Sequence, residues 1–486
     1  MQRFKILLTG LLCSFLGNFL LYSQEQLGLR LDNYSGANAL SLNPAANATC
    51  AFGWDINLIG IGMSVNNNLV YIEKSTLGKA LRNTNSIGPD PALNISFNGK
   101  PILEYNFKDK ASRYGSAVAR VMGPSFVLNF SSGHSFGLFT GVRTMISTHS
   151  IPIVVNPYET QRIRRNQTFD VAPFTVRGLA WSEIGLNYAY RLGDDTEGGL
   201  AIGINAKWMQ GFQGFFVNNY SGTKLTRLSR DTVRFDAFNG ELGFTNTFND
   251  PATRSNGSGF GFDLGVLLTT PASDDRPYEW RLGASLIDMG KININRNAEV
   301  HQFQPKEVFE LNKKDFENLD TNNPLSDAIR RFNQKAFNNA QSSLKGNSMT
   351  FGLPMALHVQ ADYAVNKNIF INGLLIQRLA IGQSILERDN LIAVTPRYES
   401  RWLGASLPVS VLNYQQVRVG LAARLAFLTI GTEHLMSLIS NSDLYGTDFY
   451  VALKINPFQI GQLSSGGGKG KGGNWGKSKR VSCYKF

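Results

Sequence analysis

The sequence predicts an all-β protein, a transmembrane antiparallel β-barrel of about 14 strands with long extracellular loops. Three observations predict it. Long segments alternate apolar and non-apolar residues with a period of two. The connections between these segments alternate between short and long. Only 17% of the 486 residues are charged while 48 are Gly, whereas a soluble domain carries roughly 25% charged residues and about 7% Gly.

The period-two pattern is regular in four segments, each with one uniformly apolar face and one mixed face. In a membrane barrel the apolar face meets lipid and the mixed face lines the lumen. The mixed faces carry charges that we expect to pair with one another in the lumen rather than to bind a substrate. The four segments span residues 200–209, 260–268, 417–427 and 449–456. The candidate lumen charges are Lys207, Asp263, Arg418 and Arg424.

Glycine recurs on the same mixed faces, at Gly203, Gly265, Gly283 and Gly420. A strand glycine lets another backbone come close to the sheet. These positions therefore favour inserted segments or bulges that approach the wall from inside.

The lengths of the connections distinguish a membrane barrel from a soluble sandwich. Outer-membrane barrels have an even strand number, short periplasmic turns and long outer loops. From the fourth candidate strand onward the connections follow that alternation, with Tyr414-Gln415 among the short ones and 220–256 and 295–348 among the long ones. Fourteen strands are predicted, and 12 is the alternative because the first three segments alternate least regularly. The candidate strands are 52–64, 67–74, 93–98, 115–131, 134–150, 174–192, 197–219, 257–271, 278–294, 349–365, 369–380, 391–413, 416–435 and 446–458.

The two ends of the chain account for most of its formal net charge of +12. Residues 1–24 begin with basic residues, continue with an apolar stretch and end in small or polar ones, which predicts a secretory signal peptide cut near Ser23 or Gln24. This segment carries +2, and the Gly- and Lys-rich tail at 459–486 carries +6, so the body between them carries only +4. A basic nucleic-acid-binding face is not implied.

No motif for catalysis, a cofactor or a metal is found. The five histidines show no ligand spacing, and no zinc-protease, paired-cysteine or nucleophile-elbow pattern occurs. We therefore expect a non-enzymatic protein without a cofactor.

One long connection contains a predicted helix. Leu325, Ile329, Phe332 and Ala336 recur at helical spacing within 295–348. Two roles are open for this helix: capping the outer mouth of the barrel, or docking a partner.

Several short segments carry a family resemblance. The run from Gly36 to Ala45 resembles the N-terminal segment of FadL-type outer-membrane barrels, where Asn-Pro-Ala follows small residues. Segments 261–266 and 282–290 look like paired central strands of that superfamily. Phe351-Gly352-Leu353-Pro354 and the ending Ser482–Phe486 are similar to features of its Bacteroidota members, including secretion-associated PorV-like barrels.

The resemblance implies a 14-stranded barrel whose N-terminal segment enters the lumen as a plug. Asn43, Pro44 and Ala45 would belong to that plug, although an ordinary N-terminal turn is equally compatible with them. The implied organisation is a signal peptide at 1–24, a plug-like segment at 25–51, the barrel at 52–458 and a periplasmic tail at 459–486.

Two cysteines remain after the predicted signal, Cys50 and Cys483. The predicted topology places both on the periplasmic side, and the flexible linker 464–476 would let them meet. A disulfide between them is therefore one hypothesis, and two unrelated thiols are the other.

The sequence leaves two functions open for a protein embedded in outer-membrane lipid with both termini periplasmic. Its long loops favour an accessory subunit of protein export or outer-membrane assembly, with other subunits as partners. The plug-like segment favours the alternative, a FadL-type channel for hydrophobic or small solutes with a hydrophobic ligand.

Overall fold

The computed structural model describes residues 25–82, 103–106, 113–152, 165–194, 198–229, 231–246, 254–273, 275–320, 323–382 and 384–456. The predicted signal peptide, the candidate strand 93–98 and the basic tail with Cys483 lie outside these residues.

The described residues form a closed antiparallel barrel of 14 wall strands, which confirms the predicted fold class. The first strand, β1, pairs with both the second strand and the last, so the sheet has no free edge in its wall. The strands are β1 Trp54–Asn67, β2 Arg113–Met122 and Ser125–Asn129, β3 His134–Ile151, β4 Phe174–Asp194, β5 Gly198–Asn219, β6 Gly257–Thr269, β7 Trp280–Ile294, β8 Met349–Gly352 and Ala356–Ala364, β9 Ile369–Arg378, β10 Leu391–Glu399, β11 Leu403–Ser406 and Val409–Leu412, β12 Gln416–Val419 and Leu421–Leu425, β13 Leu428–Thr432, and β14 Gly446–Ile455.

The two faces of the wall have opposite polarity. In β6 the outward Phe260 is 65% exposed, whereas the inward Asp263 is 1% exposed. Outward apolar side chains continue on the neighbouring strands with Ile202 on β5 and Leu282 on β7. A continuous apolar exterior is what a surface in contact with lipid requires.

The two ends of the barrel differ in their connections. We call the end with the turns β2–β3, β4–β5, β6–β7, β8–β9, β10–β11 and β12–β13 the turn end, and the opposite end the loop end. The barrel wall begins and finishes at the turn end, where Lys454 of β14 lies 3.3 Å from Asp55 of β1.

The predicted count of 14 strands is right, but among the described residues one predicted strand is not in the wall and two others are each two strands. The segment 67–74 is not a wall strand: only Val70–Ile72 is extended, and it pairs with Leu103–Tyr105 in a two-stranded sheet. Conversely, 391–413 and 416–435 each contain two wall strands. The second of these hidden turns has Ala426 at φ +51°, a left-handed conformation that the sequence does not signal because it usually falls to Gly or Asn.

The two additional turns also change the end of the barrel at which one connection lies. The turn at Asn413–Tyr414 lies at the loop end, not with the short turns, since Asn413 N–H donates to the carbonyl of Asn390 at 2.8 Å.

Three loops build a small platform at the loop end. A four-stranded sheet joins Gln167–Val171, Thr223–Arg227, Thr232–Ala237 and Phe309–Asn312. The predicted helix is confirmed as Pro324–Phe337, begins with Pro at its first turn and ends before Asn338 at φ +54°. Phe332 packs edge-on against Phe235 and Phe309.

The remaining regular elements are short. Three more strands extend the barrel sheet at the loop end: Gly240–Thr245, Ala298–Phe303 and Leu344–Gly346. The other helical segments are Leu27–Arg30, Gly36–Ser41, Pro44–Thr49, Leu77–Arg82, Lys313–Phe316 and Met436–Ile439.

Among the described residues, no helix combines the length and the apolar composition needed to cross a bilayer.

Candidate functional site

The N-terminal residues 25–53, which we call the lumen segment, lie inside the barrel. They form a short helix followed by two 3-10 turns. The second turn begins at Asn43, whose side chain accepts a hydrogen bond from the N–H of Ala45 at 2.9 Å, with Pro44 at the first position. Asn as an N-cap followed by Pro is a favoured way to start such a turn.

Hydrogen bonds tie the lumen segment to strands all around the circumference. Gly28 N–H donates to the hydroxyl of Tyr450 on β14 at 3.0 Å. Asn43 Nδ2 donates to the carbonyl of Val266 on β6 at 3.0 Å. Asn47 Nδ2 donates to Asn187 Oδ1 on β4 at 2.8 Å. Contacts with strands this far apart in the wall are possible only from within the lumen.

Glycines in the wall make room for the segment. A Cβ at Gly203 would lie 2.5 Å from the nitrogen of Ala45, and one at Gly265 would lie 2.1 Å from Asn43 Oδ1. Both distances are shorter than real side chains allow, so the predicted close approach occurs here. At Gly420 the near atoms belong to neighbouring wall residues, not to the lumen segment.

Buried charges form a layer across the middle of the lumen. Lys207 Nζ lies 2.6 Å from both Asp263 Oδ1 and Asp288 Oδ1. Arg143 makes two bonds of 2.9 Å to the carboxylate of Asp288. We call Arg120, Arg143, Glu183, Lys207, Asp263 and Asp288 the ion-pair layer. Buried charges persist when paired in this way, and removing one partner is costly.

The lumen segment reaches this layer through its own charges. Glu25 pairs with Arg30 at 3.3 Å and with Arg388 at 3.5 Å, and Arg388 lies 3.3 Å from Asp288.

The four predicted lumen charges do not form one group. Lys207 and Asp263 pair directly. Arg424 lies near the turn end, where its Nε donates to Asp32 Oδ2 at 2.6 Å and its guanidinium stacks 4.6 Å from the ring centre of Tyr34. Burial alone would raise the pKa of Asp32, but the guanidinium of Arg424 outweighs burial and holds that pKa below its ordinary value.

Arg418 occupies a third place. It donates to Asn66 and, at 2.7 Å, to Gln416 Oε1. It also lines a small cavity beside Glu25 and Glu433. The predicted charges therefore pair mainly with residues that were not singled out in the sequence.

One part of the loop-end half of the lumen is apolar. We call the buried cluster around Met145, Leu179, Trp181, Met209, Ile292 and Phe351 the apolar compartment. Met145 and Met209 follow Arg143 and Lys207 by two residues on the same inward faces, so each strand passes from a charge to a methionine.

Trp181 joins the two layers. Its side chain is fully buried in the apolar compartment, and the guanidinium of Arg143 lies 4.9 Å from its ring centre. Its indole N–H has no hydrogen-bond partner among the residues that the structure describes. A buried tryptophan usually has such a partner.

A loop segment also enters the lumen. Residues 384–390, which we call the strap, run from the loop end inward between β9 and β10. Leu386 is fully buried and belongs to the apolar compartment. No periodic pattern marks the strap, and sequence reasoning missed it.

Three consecutive charges hold the strap. Glu387 lies 3.2 Å from His149 and 3.1 Å from Arg378. Arg388 lies 2.9 Å from His358 Nε2, in addition to its contacts with Asp288 and Glu25.

Asp389 is the third anchor. It accepts hydrogen bonds from Ser116 at 2.5 Å and from Asn413 at 2.8 Å.

No group of three or more metal-ligating side chains is found in the described part of the chain. Cys50 caps the second 3-10 turn at the turn end. Its hypothetical partner Cys483 lies outside the described residues, so the disulfide stays a prediction.

Residues 44–433 match the family described as "Family of unknown function (DUF5723)". The chain belongs to this family. No curated protein matches the sequence.

Several solved structures are similar to this chain at a low level. The P. putida toluene transporter TodX is 10% identical with a TM-score of 0.40, covering 87% of this chain and 94% of that one. A Pseudomonas aeruginosa FadL homologue is 9% identical with a TM-score of 0.23, covering 90% and 99%. The translocator domain of autotransporter NalP from Neisseria meningitidis is 7% identical with a TM-score of 0.29, covering 83% and 88%. At this level the likenesses identify no ligand, and they do not bear on the resemblance to PorV-like barrels.

Proposed function

We propose that the protein is an outer-membrane channel for hydrophobic or small apolar solutes. The observation that supports it is the apolar compartment inside the lumen. A barrel that conducts ions or sugars needs polar inward faces. Met145, Met209 and Phe351 instead offer an apolar surface to which an apolar solute can bind out of water.

The orientation we propose places the loop end outside the cell and the turn end in the periplasm. The predicted signal peptide would direct export, and both ends of the wall would then face the periplasm. A solute would enter at the loop end and reach the apolar compartment, while the lumen segment closes the passage below it.

The kind of ligand follows from the lining. Methionine is flexible and fills irregular space, so Met145 and Met209 can adjust to different apolar shapes. The indole N–H of Trp181 would satisfy one acceptor on a solute. Apolar molecules with at most one weak acceptor fit this lining best, and no chemical step is required of the protein.

The sequence-based preference for an accessory subunit receives no support here. That preference rested on the long loops, and in the structure these loops pack against one another as the platform. The sheet and helix of the platform pack around an internal aromatic core that includes Phe235, Phe309 and Phe332.

The proposal is tested by equilibrium binding of the fluorescent apolar probe N-phenyl-naphthylamine to the detergent-purified protein. Met209→Gln places an amide in the apolar compartment, where an unpartnered amide costs roughly 1–3 kcal/mol, so we expect affinity to fall about tenfold or more. Met436→Gln, the same change at a residue that is 51% exposed, should leave the affinity unchanged. Equal affinity in all three proteins, or no binding to the wild type, would overturn the proposal.

A further inference from the structure

The strap occupies a place that a wall strand has vacated. β9 stops at Arg378, and beyond it Ile385 forms a parallel bridge with Gly352 of β8. Gly352 N–H donates to the carbonyl of Ser384 at 3.1 Å, and Leu386 N–H donates to the carbonyl of Gly352 at 3.0 Å. The attachment to β8 therefore consists of a few backbone bonds rather than a long ladder.

The strap also contributes to the apolar compartment. The six compartment residues named above belong to wall strands, whereas Leu386 comes from the strap and packs in the same buried cluster. Its side chain takes up space that an apolar solute in the compartment would need.

The charged anchors of the strap and the apolar Leu386 both oppose movement of the strap out of the lumen. Moving Glu387, Arg388 and Asp389 outward breaks buried contacts, among them the pairs of Arg388 with Asp288 and Glu25, and this cost keeps the strap closed without solute. Leu386 loses about 1.5–3 kcal/mol of burial on exposure to water. A solute that fills the vacated space restores the lost contacts of the compartment, so solute lowers the free energy that opening requires.

From these contacts, and resting on the proposed function, we propose that the strap is a lid on the apolar compartment. The solute enters from the loop end by displacing Leu386, and the strap moves away from β8. Because Arg388 also pairs with Glu25, opening breaks a contact that holds the first residues of the lumen segment. The lid thereby couples entry at the loop end to the closure below.

A disulfide can lock the lid. A Cβ at Gly352 would lie 3.5 Å from the Cβ of Ile385, which is within the range of disulfides, about 3.5–4.5 Å. The variant Gly352→Cys with Ile385→Cys is made in a background with Cys50→Ser and Cys483→Ser. The probe is N-phenyl-naphthylamine, and its association is followed by stopped-flow fluorescence.

We expect the oxidised variant to take up the probe at least about tenfold more slowly than the same protein reduced. The reduced double variant should bind at the background rate, and the Ile385→Cys single variant, which cannot form the disulfide, should bind at the same rate with and without reductant. Equal rates in the oxidised and reduced forms, with the background still binding, would overturn the lid but leave the channel proposal standing. Absence of binding in the background would overturn both.

A second variant decides the matter if the disulfide does not form. Leu386→Ala removes the side chain that the solute must displace and leaves the three charged anchors in place. We expect association to be several-fold faster than in the wild type, and an unchanged rate would contradict the lid.

Discussion

The two halves of the lumen are filled in different ways. At the turn end the lumen segment is held by directional contacts, such as Asn47 to Asn187 and Arg424 to Asp32. At the loop end the apolar compartment is filled by side chains without such contacts, including Met145 and Met209. Directional polar contacts fix one arrangement, whereas apolar packing tolerates replacement by another molecule. The difference agrees with the proposal that the first half is a seal and the second half holds the ligand.

The ion-pair layer separates the two halves, and its loss should have the largest effect. Asp288→Asn keeps the shape of a residue that stands at φ +60°, a conformation Asn tolerates. It leaves Lys207 and Arg143 buried without their shared carboxylate. Breaking a buried ion pair costs roughly 3–5 kcal/mol, so we expect a clear drop in the free energy of unfolding measured in detergent with urea.

The matched control is Asp275→Asn, at an exposed position in the β6–β7 turn. It should not change the unfolding midpoint. A midpoint for Asp288→Asn equal to that of this control would show that the layer is not a stabilising element.

The apolar compartment should lose stability in a way that a ligand restores. Met209→Ala opens a cavity and should cost about 2–5 kcal/mol. Benzene at saturation should bind that cavity and raise the midpoint again, because dry apolar cavities accept such molecules. Met436→Ala at the exposed site should leave the unfolding midpoint unchanged, with and without benzene. Recovery of Asp288→Asn by benzene would contradict the division between the halves.

The seal can be disturbed without touching the compartment. Gly203→Ala brings a Cβ to 2.5 Å from the backbone of Ala45, and overpacking of this kind costs roughly 1–3 kcal/mol. We expect the lumen segment to shift and trypsin to cleave after Arg30, which is 3% exposed in the closed state. Gly60→Ala also faces the lumen, but its nearest atoms lie 3.5 Å away, so cleavage should stay at the wild-type rate. Equal resistance of both variants to trypsin would argue against close packing of the lumen segment on Gly203.

The smallest effect is expected outside both halves, at the platform helix Pro324–Phe337. Burial alone would raise the pKa of Asp327, but hydrogen bonds from Arg330 and Arg331 outweigh it and lower that pKa. A carboxylate with a lowered pKa contributes stability that is present at neutral pH and lost as the pH falls below about 4. Hydrogen exchange in the helix should rise there by an amount worth less than about 1 kcal/mol. Asp327→Asn should show no such pH dependence.

The barrel could be predicted because its signal is local. Alternation along β5, β6 and β14 follows directly from one face in lipid and one in the lumen, so the residue order reports it. The hidden turns could not be predicted, because Ala426 adopts a left-handed conformation without the usual residue. The count of 14 was reached although 67–74 is not a wall strand, since 391–413 and 416–435 each contain two wall strands.

The lumen was predictable only in part. The sequence identified Lys207 and Asp263 as inward charges, but their partner Asp288 escaped notice. The apolar compartment did leave one signal in the sequence. Arg143 and Lys207 each precede a methionine by two residues on an inward face. The strap gives no such signal, since its place depends on contacts of Arg388 and Asp389 with residues distant in the chain.

Crystals soaked with bromobenzene test the central claim most directly. Anomalous diffraction locates bromine without reference to any functional assay. The account predicts a bromine peak inside the barrel among Met145, Trp181, Met209 and Phe351, with Leu386 displaced. Bromine found only on the lipid-facing exterior, with the compartment unchanged, would contradict it.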